Sequence, residues 1–418
     1  MSSIAINGAL IVTQNETREV IRGSVLVVND RIEYVGQTKQ GADEEIDGDG
    51  FIVLPGFINT HAHVAMSHMK GQLDDIDLET FLRRTYQLDA ERSEKGIYNS
   101  AVLGISEMID AGITCFADMY YSEDVIARAC QDSGIRANLA WNTLDRELTT
   151  QRGDPVSNAG QFISSFKGKE LITPSIGIQG IYAASDETIA RAIEVSRSHG
   201  TLVHMHLSET RKEVYDFVKK NNQRIVEHLS DKNLLPERLL AAHGVWLTLR
   251  EIRLLSRAHS SISWNSLSNA KLASGGMPAV PEMMSNGITV SLGTDSSASN
   301  NSLDMFQLMK FSSLMTKNAR WDSTVIPAQV SLDMATVNGA RAIGNAKIGS
   351  IEAGKKADLV LIDATRPNLI PTGIENAVSN IVYSANAGNV DSVIIDGKFV
   401  KRHGKLTNVI RIPHDDFV

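Results

Sequence analysis

Two histidines one residue apart, His61 and His63, follow an apolar run from Phe51 to Ile58. Side chains alternate along a strand, so both imidazoles project from one side and can face the same ion. Three more groups of metal-binding type each close an apolar run: His206 near the end of Thr201 to Leu207, His243 after Leu239 to Ala242, and Asp295 after Ile288 to Gly293. A His-x-His pair alone is more often a surface or core feature than a ligand pair. Five such groups at four strand ends are different, because unpaired ionisable groups gathered in one interior destabilise a fold that offers them no cation.

The elements that would position these groups alternate between short apolar runs and longer amphipathic stretches, the pattern of a parallel sheet with crossover helices. Runs end near Thr60, Asp118, Trp141, Gln179, His206, His243, Asn265 and Thr294. Eight ends suffice to close a (β/α)8 barrel, whose functional groups sit at the C-terminal ends of the strands. The first unit is oversized, with Leu78 to Ala111 predicted to supply extra helices.

Residues 1–54 instead carry short β-rich runs (Ile4 to Val12, Ser24 to Val28, Arg31 to Val35) between Asn, Asp and Gly, which predict an antiparallel sheet. The texture returns after residue 350, in Ala357 to Ile362, Asn380 to Tyr383 and Asp391 to Val400. The expected organisation is α/β: a TIM-like barrel over 55–349 and a smaller composite β-sandwich from 1–54 and 350–418. At 418 residues and 42% hydrophobic content, the chain is long enough for both.

With 41 basic against 49 acidic residues the formal charge is −8, and no Lys/Arg cluster could track a phosphate backbone, which argues against nucleic acid. Cys115 and Cys130 are too few for a disulfide framework and read as reduced core residues. No segment reaches the ~20 apolar residues of a membrane span, and MSSIAINGAL does not read as a secretory leader. The expectation is a cytoplasmic protein with a small-molecule substrate and no membrane partner.

The run Leu54-Pro-Gly-Phe-Ile-Asn-Thr-His-Ala-His63 resembles the opening metal motif of the amidohydrolase superfamily, and Gly349 to Asp363 resembles its return into the sandwich. Binuclear members carry a lysine at the end of the fourth strand, where this chain reads Ser175-Ile-Gly-Ile-Gln179, so the resemblance implies one divalent metal per subunit. His61, His63, His206 and Asp295 would hold it, with zinc the expected ion and iron the alternative. His206-Leu-Ser-Glu209, Ser268 to Gly275 and Gly293 to Ser302 are similar to the S-adenosylhomocysteine and methylthioadenosine deaminase branch (ATZ/TRZ-type). A homo-oligomer is also expected on the resemblance, with the Leu78 to Ala111 insertion well placed for subunit contact.

That branch implies hydrolytic release of ammonia from an aminated heteroaromatic ring. The metal lowers the pKa of its water toward about 7, and Asp295, ligand and base together, accepts the water proton. Glu209 would protonate a ring nitrogen, or alternatively orient a histidine; His243 would steer the water, or alternatively ligate the metal. Several substrate positions depart from the family. The fourth-strand histidine is Gln179, the His-Asn-Pro triplet is Trp264-Asn265-Ser266, and the arginine that binds a homocysteine carboxylate is Trp141. Asp89 or Glu91 would hold ribose hydroxyls, and each tryptophan either lines the pocket or fills the core. The expected substrate is an adenosine-type nucleoside: methylthioadenosine, 5'-deoxyadenosine or adenosine. A triazine (chloro)hydrolase, an aminopurine or pterin deaminase, and a non-catalytic scaffold are the alternatives.

Overall fold

The computed structural model describes residues 2–90, 92–408 and 417. The N-terminal stretch forms strands β1 (Ser3–Val12), β2 (Val20–Val28), β3 (Arg31–Gly36), β4 (Glu44–Asp47) and β5 (Phe51–Pro55). After a one-residue break at Gly56 the chain enters β6 (Phe57–Ala62), the first of eight parallel strands. The others are β7 (Ile113–Tyr120), β8 (Arg136–Thr143), β9 (Ile172–Ile178), β10 (Val203–Leu207), β11 (Leu239–His243), β12 (Ser261–Trp264) and β13 (Thr289–Leu292). The C-terminal stretch adds β14 (Leu359–Asp363), β15 (Val390–Ile395), β16 (Lys398–Arg402) and β17 (Lys405–Leu406).

Strands β6 to β13 neighbour one another in sequence order, and the ring closes where Asp295 N–H donates to the His61 carbonyl at 2.9 Å. Each strand end lies within two residues of its expected position. The first and last strands are drawn together by hydrogen bonds from Thr60 Oγ1 to the Leu292 carbonyl and from Asn59 Nδ2 to Thr294 Oγ1. Gly293 makes this approach possible: a Cβ there would lie 2.7 Å from the Cβ of His61 and 2.4 Å from Asn265 Oδ1.

The terminal strands form one nine-stranded sheet in the order β17-β16-β15-β14-β5-β1-β2-β3, with β4 beside β1. It is mixed rather than purely antiparallel, since β1 runs parallel to β4 and β5. Strand alternation assigns its two faces. Ile52 and Leu54 join the barrel-side core, while Val53 joins a second core with Ile11, Leu359, Leu361 and Ile394. That second core comes from the sheet's own strands and the segment around Ile351, so the sheet covers its far face in the manner of a sandwich.

One expected strand is a helix. Asn380 to Tyr383 belongs to Ala377–Tyr383, which buries Ala377, Ile381 and Val382 against the helices Met305–Arg320 and Ala328–Ala335. Their i, i+4, i+5 spacing is the stripe of a helix. The oversized first unit contains a 3-10 segment, Val64–Met69, and the helices Leu78–Ala90 and Glu94–Asp110. Cys115 and Cys130 are free and buried. Among the described residues no helix is long and apolar enough to cross a membrane.

Candidate metal centre and active site

His61 and His63 lie at the C-terminal end of β6, His206 near the end of β10, and His243 at the end of β11; Asp295 follows β13 by three residues. His243 and Asp295 both adopt left-handed backbone conformations, with φ of 76° and 61°, a cost of about 1–3 kcal/mol that such residues bear chiefly at functional sites. These turns carry the side chains inward. The ring nitrogens of His61, His63 and His206 fall within 4.8 Å of one another, as do the ligand atoms of His61, His243 and Asp295.

The hydrogen bonds settle which nitrogens are lone pairs. Nδ1 of His63 lies 2.6 Å from the Met119 carbonyl, and Nδ1 of His206 lies 2.8 Å from the Gln179 carbonyl. A carbonyl only accepts, so both protons sit on Nδ1 and both Nε2 atoms present lone pairs, 3.4 Å from each other. Nε2 of His61 is buried with no hydrogen-bond partner and lies 3.8 Å from Asp295 Oδ1; His63 Nε2 is 3.4 Å from the same oxygen. Facing lone pairs, an orphaned ring nitrogen and a carboxylate are a costly arrangement unless a cation occupies their centre. The donor set fits a divalent metal. Burial, followed by mutual repulsion of the rings, holds His61 and His206 well below the usual imidazole range, which keeps them neutral for ligation.

His243 differs. Its Nδ1 faces two amide nitrogens, Asn269 Nδ2 at 2.9 Å and Asn265 Nδ2 at 3.2 Å, and Asn265 is oriented by accepting from Ser263 Oγ through Oδ1. Nδ1 therefore accepts, and Nε2 carries the proton, 3.6 Å from Glu209 Oε2. A protonated ring nitrogen does not coordinate, so this geometry suits a group that orients water. Asp295 is held through both oxygens: Ser268 Oγ donates to Oδ2 at 2.6 Å and the Ser296 N–H to Oδ1 at 2.7 Å. The short helix Ser266–Lys271 thus positions Asp295 through Ser268 and His243 through Asn269.

Glu209 lies two residues beyond β10 with its side chain 17% exposed, on a cavity of about 1360 Å³ that also reaches His63, His206, His243 and Asp295. Burial, and then repulsion from Asp295, push its carboxyl up to about 8. At neutral pH it holds a proton it can donate. Glu213, one helical turn on, accepts the Glu209 N–H at 2.8 Å and is itself pushed up to about 7, again chiefly by burial.

The substrate positions divide. Gln179 lines the cavity, its Nε2 donating to Tyr182 Oη at 2.9 Å. Asp89 lines it too, from the helix Leu78–Ala90, and accepts from Tyr120 Oη and from Arg92 at 3.3 Å. Neither tryptophan contributes to the lining. Trp264 is fully buried in the core, and Trp141 packs on Phe162 and donates to Gln151 Oε1 at 2.9 Å. Glu91 lies outside the described residues. His204, absent from the sequence reading, stands 2.9 Å from His61. Its signal was available: His204-Met205-His206 repeats the spacing of His61-Ala62-His63.

This geometry, a barrel with histidines and an aspartate converging at its C-terminal mouth, is that of a metal-dependent hydrolase. Residues 52–400 match the amidohydrolase family, and the chain belongs to it. A 5'-deoxyadenosine deaminase from Methanosphaera stadtmanae is 38% identical, the alignment covering 94% of this chain and 92% of the relative. A 5-methylthioadenosine/S-adenosylhomocysteine deaminase from Thermodesulfovibrio yellowstonii is 36% identical over 96% and 93%. Among solved structures, an adenosine deaminase from Xanthomonas campestris with bound zinc superposes with a TM-score of 0.93 at 28% identity, covering 97% of this chain and 94% of that one.

Proposed function

We propose that this protein is an aminohydrolase that replaces the 6-amino group of an adenosine-type nucleoside with oxygen, using one divalent ion per chain, zinc before iron. The carrying observation is the cluster of three Nε2 lone pairs, two of them facing the Asp295 carboxylate, beside the Glu209 carboxyl that burial raises to about 8 on the cavity. A divalent ion bound there supplies Lewis acidity, lowering the pKa of water at its open position toward about 7.

The chain's own groups then move the protons. Asp295, pinned by Ser268 and Ser296, accepts a proton from the attacking water, and the Nε2–H of His243 orients the water oxygen. Glu209 gives its proton to the ring nitrogen beside the amino-bearing carbon, which makes that carbon electrophilic. The proton on Asp295 passes to the amino group, the C–N bond breaks, and ammonia leaves. The proton from Glu209 remains on the ring nitrogen of the product, and the second proton of the attacking water passes from the new hydroxyl to the Glu209 carboxylate, which leaves a carbonyl oxygen on the ring and restores Glu209 for the next turnover.

Cavity charge argues against an anionic 5' end. Asp89, Glu147, Asp186, Glu187, Glu213 and Asp216 line it against Lys212 and Lys220, and Lys212 is paired with Asp216 at 2.5 Å. Trp141 supplies no cation where homocysteine-binding relatives are expected to carry arginine. An ammonia-release screen over adenosine, methylthioadenosine, 5'-deoxyadenosine, adenosine 5'-phosphate, S-adenosylhomocysteine, guanine, cytosine, pterins and melamine-type triazines tests the proposal. The highest kcat/KM is expected for 5'-deoxyadenosine or methylthioadenosine. S-Adenosylhomocysteine as best substrate would overturn the reading of Trp141; inert nucleosides beside a reactive triazine or pterin would overturn the substrate class. Elemental analysis is expected to return one tightly bound divalent ion per chain, because Ile172–Ile178 and Gln179 offer no bridging lysine. Two bound ions would refute that count.

A further inference from the structure

We propose that His204 is a positioning residue for the metal centre: it accepts the Nδ1 proton of His61 and so holds the His61 Nε2 lone pair toward the metal. His63 and His206 are backed by backbone carbonyls of Met119 and Gln179, which no substitution removes. His61 is backed by a side chain. Its Nδ1 lies 2.9 Å from Nε2 of His204, and both residues are completely buried.

One proton joins the two rings, and it has two possible arrangements. If His204 Nε2 carries it, His61 Nδ1 accepts and His61 Nε2 must bear a hydrogen, which blocks ligation. If His61 Nδ1 carries it, His204 accepts and its own Nδ1 bears the second hydrogen. Only this state presents the His61 lone pair. It leaves the His204 Nδ1–H buried without a partner. His204 thus bears an unsatisfied polar group whose use is to set, from across the barrel, the tautomer of a ligand on β6.

The inference rests on the metal-centre reading above, and its test separates the two. Zinc affinity is measured by competition with a chromophoric chelator for the wild type, His204→Leu and His204→Gln, alongside the melting temperature of each metal-free protein. Leucine removes the acceptor and is expected to weaken zinc binding by about 10–100-fold. Leucine also leaves His61 Nδ1 buried without its partner, so its metal-free melting temperature should fall further than that of the glutamine variant, and the measurement checks that the fold persists. Glutamine places an amide oxygen near the Nε2 position and is expected to restore much of the affinity. Nitrogen-15 shifts of the wild-type histidines require no variant: in the zinc-loaded protein His61 and His204 should both show the Nδ1–H tautomer. Unchanged affinity in His204→Leu, equal losses in both variants, or a zinc-loaded His204 protonated on Nε2 would overturn the inference. A wild-type chain that binds no zinc or other divalent ion would instead overturn the metal-centre reading.

Discussion

Asp295→Asn is expected to lower kcat by about 10²- to 10⁴-fold, the range carried by a positioned proton-transfer group, and to weaken metal binding as well. The substitution is nearly isosteric. An amide oxygen can still accept the Ser296 N–H, and the amide nitrogen can donate to Ser268 Oγ, which in turn can donate to Ser299 Oγ 2.8 Å away. The fold should persist, and the metal-free melting temperature should stay near that of the parent. What disappears is the negative charge facing His61 and His63 and the capacity to take a proton from water. Steady-state kinetics at saturating metal, with metal affinity measured separately, divides the two losses. Parental turnover with metal bound would remove Asp295 from the role of base.

Glu209→Gln is expected to lower kcat by about 10²-fold or more while leaving metal content unchanged, because an amide donates a hydrogen bond but cannot release a proton. The residue is not part of either ligand cluster, and its backbone N–H keeps the bond to Glu213. The pH dependence gives an independent sign. A carboxyl that must be protonated to act, and that burial raises to about 8, loses activity as pH rises past that value. A bound cation offsets the share of the shift owed to Asp295, so the alkaline limb of kcat/KM is expected at or below about pH 8. The residual activity of Glu209→Gln should lack that limb. A variant that keeps both the rate and the limb would show that Glu209 only orients its neighbours.

Much of this was legible in one dimension. His61 and His63 share a strand, and His206, His243 and Asp295 each close an apolar run, so their meeting follows once eight such runs form a barrel. Trp264 was not legible. In Ser261–Trp264 the alternation is clear, yet both faces of a barrel strand are buried, so the pattern alone does not say which face is the interior. The 2.7 Å contact between Thr60 Oγ1 and Ser263 Oγ places Ser263 inward, and Trp264 therefore packs outward. Ala377–Tyr383 misled for a related reason: a short β-branched run suits strand or helix, and its contacts with the helices Met305–Arg320 and Ala328–Ala335 decided.

The sequence by itself determined the chemistry available: which donors exist, that no lysine ends the fourth barrel strand, and that a carboxyl follows His206 by three residues. These are properties of residue type and local spacing. Tertiary structure alone decided how each donor is protonated and faced. The proton on His61 depends on His204, that on His243 on Asn265 and Asn269, and the charge of Glu209 on burial beside Asp295. Tautomer and ionisation follow from partners within about 3 Å and from loss of water, and those partners lie up to 143 positions away along the chain.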